Sequence, residues 1–226
     1  MVNFSGVFTE REPIPGGWRL GVLIGLAVLP GLAAADRGLM VAVRLWSWPP
    51  LLDLMQLLTW LGYGAVDIGI FLVVGLWGWR RGDRGLGLRG LTGAATVAGA
   101  GLLDQLLKNI ACRARPTAPE AGAFFAGFPC FPASYRYASF PSGHATTVFA
   151  TAVLLTLWYP RAAGPCMALA VLVGLSRIVL LSHFPSDVLA GALLGTVVAL
   201  AVHAHVPAAR RPRTARAGEP AGGAEA

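Results

Sequence analysis

Long apolar runs alternate with short polar, arginine-bearing segments along the chain, and the runs are long enough to cross a bilayer. Six of them are predicted to be helices: about Trp18 to Ala35, Leu54 to Trp79, Leu91 to Ile110, Gly143 to Tyr159, Gly164 to Leu181 and Pro185 to His205. Asp36 to Pro50, carrying Trp46 and Trp48, reads as an interfacial stretch. The longest polar segment, Cys112 to Ser142, separates the third run from the fourth. The expected fold is all-α, a six-span transmembrane helical bundle over residues 18–206. A short N-terminal cytoplasmic segment, 1–17, precedes it. A basic tail, 207–226, follows, and its Ala, Gly, Pro and Arg content predicts disorder.

The arginines set the orientation. Arg80, Arg81, Arg84 and Arg89 lie between the second and third runs, Arg161 between the fourth and fifth, and Arg210, Arg211, Arg213 and Arg216 after the sixth. In a six-span chain these segments share one side, and positive residues mark that side as cytoplasmic. The long loop and the ends of spans three to six around it then face outward, which in a cell inner membrane is the periplasm. Ala33-Ala34-Ala35-Asp36 also fits the end of a cleaved signal peptide. Cleavage there would leave the side of every later span unchanged.

Composition narrows the class. Of 226 residues 55% are hydrophobic and 13% charged, against about a quarter charged in soluble domains. The net charge of +7 falls between and after the apolar runs, so it orients the chain in a membrane and predicts no nucleic-acid partner. Three cysteines without a Cys-x-x-Cys pair give neither a disulfide framework nor a zinc or redox centre.

Three polar patches fall at the outward ends of spans three to six. The first runs from Lys108, the only lysine, to Arg115 and Pro116. Seven residues are about two helical turns, so both cations share a face and can grip a phosphate if the helix continues. The plainer reading pairs Lys108 with Asp104 and lets Arg115 snorkel to the interface. The second patch is Pro141-Ser142-Gly143-His144, where a helix start offers free N–H groups to an anion and His144 offers a proton. An ordinary serine cap beside an interfacial histidine fits equally. The third is Ser176-Arg177 followed by His183 and Asp187. Arg177 is a charge among apolar residues. His183 and Asp187 are spaced for a carboxylate to orient a ring and leave its other nitrogen free to attack. A His–Asp pair that only joins two helices has the same spacing.

Taken in order, Lys-x6-Arg-Pro, Pro-Ser-Gly-His and Ser-Arg-x5-His-x3-Asp resemble the type-two phosphatidate phosphatase superfamily, which includes membrane lipid phosphatases, bacterial acid phosphatases and vanadium haloperoxidases. The resemblance covers about Lys108 to Asp187. It implies a nucleophile at His183 that becomes a phosphohistidine, an orienting residue at Asp187 and a leaving-group acid at His144. Lys108, Arg115, Ser142, Gly143 and Arg177 would form the phosphate clamp. No cluster of carboxylates or histidines near these residues offers a metal site, and no cofactor is expected. The expected substrate is a lipid-linked phosphate ester or anhydride: undecaprenyl pyrophosphate, phosphatidylglycerol phosphate, phosphatidate or lipid A 1-phosphate. A lipid phosphotransferase using the same phosphohistidine is the nearest alternative, and a non-catalytic phospholipid transporter or scaffold is the alternative from another class.

Phe124, Phe125, Phe128, Phe131, Tyr135 and Tyr137 in the long loop either meet acyl chains and the membrane surface or pack the loop. An outward loop also predicts a Cys112–Cys130 disulfide, with two unpaired thiols as the alternative.

Overall fold

The computed structural model describes residues 14–45, 48–126, 130 and 134–205. Expectations for the cytoplasmic residues up to 13, for Trp46, Phe128 and Phe131, for Arg210, Arg211, Arg213 and Arg216, and for disorder in the tail lie outside the described residues. Seven α-helices are described: α1 (Gly16–Val43), α2 (Pro49–Thr59), α3 (Gly64–Arg80), α4 (Arg84–Ala111), α5 (Gly143–Trp158), α6 (Ala163–Val179) and α7 (Pro185–His205). No strand occurs among the described residues. Only helices or closed barrels satisfy their own backbone in hydrocarbon, so the all-α architecture agrees with the apolar pattern.

α1, α4, the stretch through α6 and α7 are each long and apolar enough to cross a membrane. α2 and α3 meet that test together, as a pair bent by 52°. α5, apolar but 16 residues long, is shorter than such a span. The protein is therefore multi-pass.

Two of the predicted runs are corrected. Leu54 to Trp79 is not one continuous helix: it breaks at a 3-10 turn, Trp60–Gly62, and at Tyr63, whose backbone is extended (φ −75°, ψ 110°). Gly62 and Gly64 flank the break, and glycine is the weakest helix former after proline. The first helix does not stop near Ala35 but carries Asp36 two further turns to Val43. Asp36 is tolerated there because its carboxylate turns inward, where it accepts the Ser186 amide at 3.0 Å and an Arg113 guanidinium N–H at 2.7 Å.

Small residues let the helices approach. α5 lies closest to α7, and a Cβ added at Gly195 would sit 2.1 Å from the Thr146 carbonyl oxygen. The buried layers on either side are built from short side chains, Val148, Ala152, Ala170 and Val173 on one and Val153, Leu154, Ala199 and Leu200 on the other. α3 packs on α4, and α1 covers α7. This arrangement collects the C-terminal ends of α1, α4 and α6, the start of α5, the start of α7 and the α2–α3 elbow at one end of the bundle.

Candidate active site

His183 is placed by the turn between α6 and α7. The Ser182 and His183 amides both donate to the Arg177 carbonyl, at 3.0 and 3.2 Å, which folds the chain back over the end of α6. Pro185 then begins α7, a position where its missing N–H costs nothing. The buried ring has Nδ1 2.7 Å from the Ser139 carbonyl oxygen. A carbonyl can only accept, so in the neutral ring Nδ1 holds the proton and Nε2 keeps its lone pair. Burial pushes the pKa of His183 down to about 4, opposed by Asp187 and reinforced by Arg115 and Lys108.

Nε2 points at a cation: Arg115 Nη1 lies 3.5 Å away. Arg115 does not arrive there by continuing α4, as the two-turn spacing from Lys108 suggested. The helix ends at Ala111, and Cys112 turns left-handed (φ 43°). Arg115 instead comes from the following loop, where its guanidinium donates to the carbonyls of Tyr135 (2.7 Å), Ser182 (2.8 Å) and Ala138 (3.2 Å). The Tyr135 ring stacks on it, 3.9 Å from Cζ to the centroid, so this aromatic packs the loop. Phe124 does likewise, edge-on to Phe140 with centroids 5.5 Å apart.

Lys108 makes the pairing that the plainer reading of the first patch expects. Its ammonium is 2.6 Å from Asp104 Oδ2, and it also donates to the Pro141 carbonyl directly before Ser142. A Cβ on Gly143 would stand 3.1 Å from Asp104 Oδ2 and 3.7 Å from Lys108 Nζ, so glycine lets the start of α5 approach the pair without displacing the Asp104 carboxylate. Ser142 occupies the N-cap position of α5, yet its hydroxyl makes no capping bond. Among the described residues, Ser142 Oγ, His144 Nε2 and Arg177 Nε are buried without a hydrogen-bond partner. Unpaired buried polar atoms are costly, and these three stand at the same end of the bundle, while Asp67 Oδ2, Thr151 Oγ1 and Thr156 Oγ1 are unpaired elsewhere. His144 lies within electrostatic reach of Arg177, His183, Lys108 and Arg115. All eight expected site residues therefore gather at the same end.

Asp187 is the residue whose contacts differ from expectation. Its Oδ2 lies 3.8 Å from His183 Nδ1, too far for a hydrogen bond. It accepts instead from Ser139 Oγ (2.6 Å), the Phe184 amide (2.8 Å) and Arg113. The ring is thus oriented by the Ser139 carbonyl, and Asp187 acts on that segment from behind. Arg113, Ser139 and Asp36 were missed in the sequence. Arg113 stands two residues before Arg115 and shares its polar loop, and that adjacency was the one available signal.

Residues 90–211, over half of the chain and including every patch above, match the PAP2 superfamily. The chain belongs to this superfamily. Among PAP2 relatives, lipid A 1-phosphatases of Rhizobium etli and Rhizobium johnstonii are each 40% identical over 100 residues, 44% of this chain and 43% and 41% of theirs. The matched stretch thus spans under half the length of those relatives. A bacitracin transport permease protein of Bacillus licheniformis is 44% identical over 64 residues, 28% of this chain and 32% of its own. In three dimensions the chain resembles a transmembrane PAP2-type phosphatidylglycerolphosphate phosphatase from Bacillus subtilis, with TM-score 0.62 and 26% identity, covering 83% of this chain and 93% of that one.

Proposed function

We propose that this PAP2 protein is a metal-independent membrane phosphatase that hydrolyses a lipid-linked phosphate ester or anhydride through a phosphohistidine on His183. The observation that carries the reading is the pairing of a proton-free Nε2 on His183 with the Arg115 guanidinium at 3.5 Å. A phosphoryl group attacked by that nitrogen brings its oxygens against a fixed cation, and such preorganised charge supplies much of the rate enhancement in phosphoryl transfer. Lys108, Arg177, Ser142 Oγ and the Gly143 amide complete the clamp.

Nε2 attacks phosphorus, the bond to the lipid oxygen breaks, and His144 gives that oxygen a proton. His144 then takes a proton from the water that splits the phosphohistidine, which restores both histidines. The Ser139 carbonyl orients the His183 ring, and Asp187 places a negative charge beside it.

The PAP2 relatives named for lipid phosphates support a lipid substrate, with lipid A 1-phosphate and phosphatidylglycerol phosphate first in line, then undecaprenyl pyrophosphate and phosphatidate. The arginine pattern supports six spans in the cell inner membrane, with the site facing the periplasm. Phosphate release from a panel of these lipids by protein purified in detergent tests the reading. Release from one class, retained in EDTA and absent in His183→Ala, is expected. Full release by His183→Ala would refute the nucleophile, and loss in EDTA restored by a divalent ion would refute the metal-free step.

A further inference from the structure

Behind the His183 turn lies a charge network that joins Asp187 to Arg113 and Asp36, two residues that the three motifs do not specify. Arg113 is 3% exposed and bridges two buried carboxylates: Asp36 of α1, 2.7 Å from Nη2, and Asp187 of α7, bonded to Nη1. Its guanidinium lies over the rings of both Phe124 and Phe184, 4.8 and 4.5 Å from their centroids. Asp36, 1% exposed, also accepts the Ser186 amide and the Ser186 hydroxyl. Ser186 Oγ in turn accepts from Arg113 Nη1 at 2.8 Å.

The charge sum matters for the chemistry proposed above, on which this inference rests. When Nε2 bonds to phosphorus while Nδ1 keeps its proton, the ring becomes cationic, and a negative charge behind it stabilises that state. Asp187 alone would supply it, but Arg113 bonded to Asp187 cancels it. Asp36 restores it: two carboxylates and one guanidinium leave a net charge of −1. Arg113 fixes the Asp187 carboxylate in space, and Asp36 keeps that fixing from neutralising it. We infer that Asp36, contributed by α1 and outside the matched family region, and Arg113 are positioning residues that hold Asp187 in place while preserving one net negative charge behind the nucleophile.

The rival explanation is mechanical: Asp36 merely pins α1 to the start of α7. Three variants separate the two, assayed on the substrate found for the wild type with His183→Ala as the blank. Asp36→Asn keeps the shape and removes the charge; kcat is expected to fall about ten- to a hundredfold, the range seen for outer partners of metal-bound histidines. KM should stay within about threefold, because the phosphate clamp is untouched. Ser186→Ala removes hydrogen bonds to Asp36 and Arg113 while keeping every charge, and kcat should stay within about threefold of wild type. Asp36→Asn/Arg113→Gln returns the net charge to −1, and its kcat should exceed that of Asp36→Asn alone.

Equal losses in Ser186→Ala and Asp36→Asn would overturn the inference in favour of a mechanical pin. A double variant slower than Asp36→Asn would overturn it as well. Should Asp36→Asn fail to insert in folded form, the double variant decides: folded protein retaining more than about a tenth of wild-type kcat supports the charge role, and a folded but inactive one rejects it. A wild type that releases no phosphate from any lipid would reject the phosphatase reading itself, a result distinct from all of these.

Discussion

His183 is held by Ser139: Nδ1 donates to the Ser139 carbonyl at 2.7 Å, while the nearest Asp187 oxygen is 3.8 Å away. A backbone carbonyl survives side-chain replacement, so Ser139→Ala should leave the ring oriented and lose only the 2.6 Å hydroxyl bond to Asp187. Its kcat/KM is expected to fall by about tenfold, the low end for one hydrogen bond to a charged group, because Asp187 keeps its bonds to Arg113 and the Phe184 amide. Asp187→Asn should cost about a hundredfold or more, because the negative charge behind the cationic ring is removed. Steady-state kinetics on one substrate compare the two. A Ser139→Ala loss larger than that of Asp187→Asn would contradict this division of roles.

His144 carries a buried, unpartnered Nε2 at the start of α5. As the acid it should matter in proportion to how badly the leaving group needs a proton. His144→Ala is expected to cost about 10²–10⁴-fold on an alkyl phosphate. On p-nitrophenyl phosphate, whose leaving group departs as the anion, the loss should be much smaller. Equal losses on both would remove His144 from that role.

The pH profile follows from burial of His183. The attacking form is neutral, and with a pKa of about 4 the ring is neutral above that pH. The acid limb of kcat/KM assigned to His183 should therefore lie near pH 4 and not at the ordinary histidine value of about 6.5. The same shift links to stability. Its folded-state pKa is depressed, so between about 6.5 and 4 the unfolded chain takes up a proton that the folded one refuses. This contribution is present above about 6.5 and is lost as pH falls towards 4. In detergent, His183→Gln should flatten the fall in Tm between pH 7 and 4.5; an unchanged slope would contradict the depressed pKa.

Much of this arrangement was legible in the sequence because its parts are local. Pro-Ser-Gly-His marks a helix start, Pro185 marks another, and the apolar runs are long enough to show their span. The relations between distant segments were not legible. Nothing in the spacing of Asp36, Arg113 and Ser186 tells that α1 returns its carboxylate to the start of α7. Arg115 does reach the His183 ring, but not by the helical spacing from Lys108, since Cys112 ends the helix and the loop delivers the guanidinium by another route. The α2–α3 elbow was hidden because its residues are apolar throughout. Only Gly62 and Gly64 around Tyr63 signalled it, and single glycines within long apolar helices are common enough to pass unread.

Cys112 and Cys130 are joined in a disulfide, the pairing expected from the sequence, with Cα atoms 6.0 Å apart and a separation of 18 residues. The bond ties the loop that delivers Arg115 back to the end of α4. Closing a loop of this length corresponds to about 3 kcal/mol in the chain-entropy estimate. Cys112→Ser/Cys130→Ser should therefore lower Tm by several degrees and weaken phosphate binding. Mass spectrometry of non-reduced protein, with free thiols blocked in intact membranes, reads the bond directly. A blocking group on both cysteines would show the loop held without the bond, by the Arg113 and Arg115 contacts and by Tyr135 and Phe124 packing.

The central claim is a covalent bond between phosphorus and His183 Nε2. Protein incubated briefly with a phosphorus-labelled substrate, quenched in alkali and digested should carry the label on the peptide containing His183. The linkage should be stable to base and lost in acid, as a phosphoramidate is, and His183→Ala should take up none. Label on a serine or a carboxylate, or steady turnover with no labelled protein at any quench time, would contradict it.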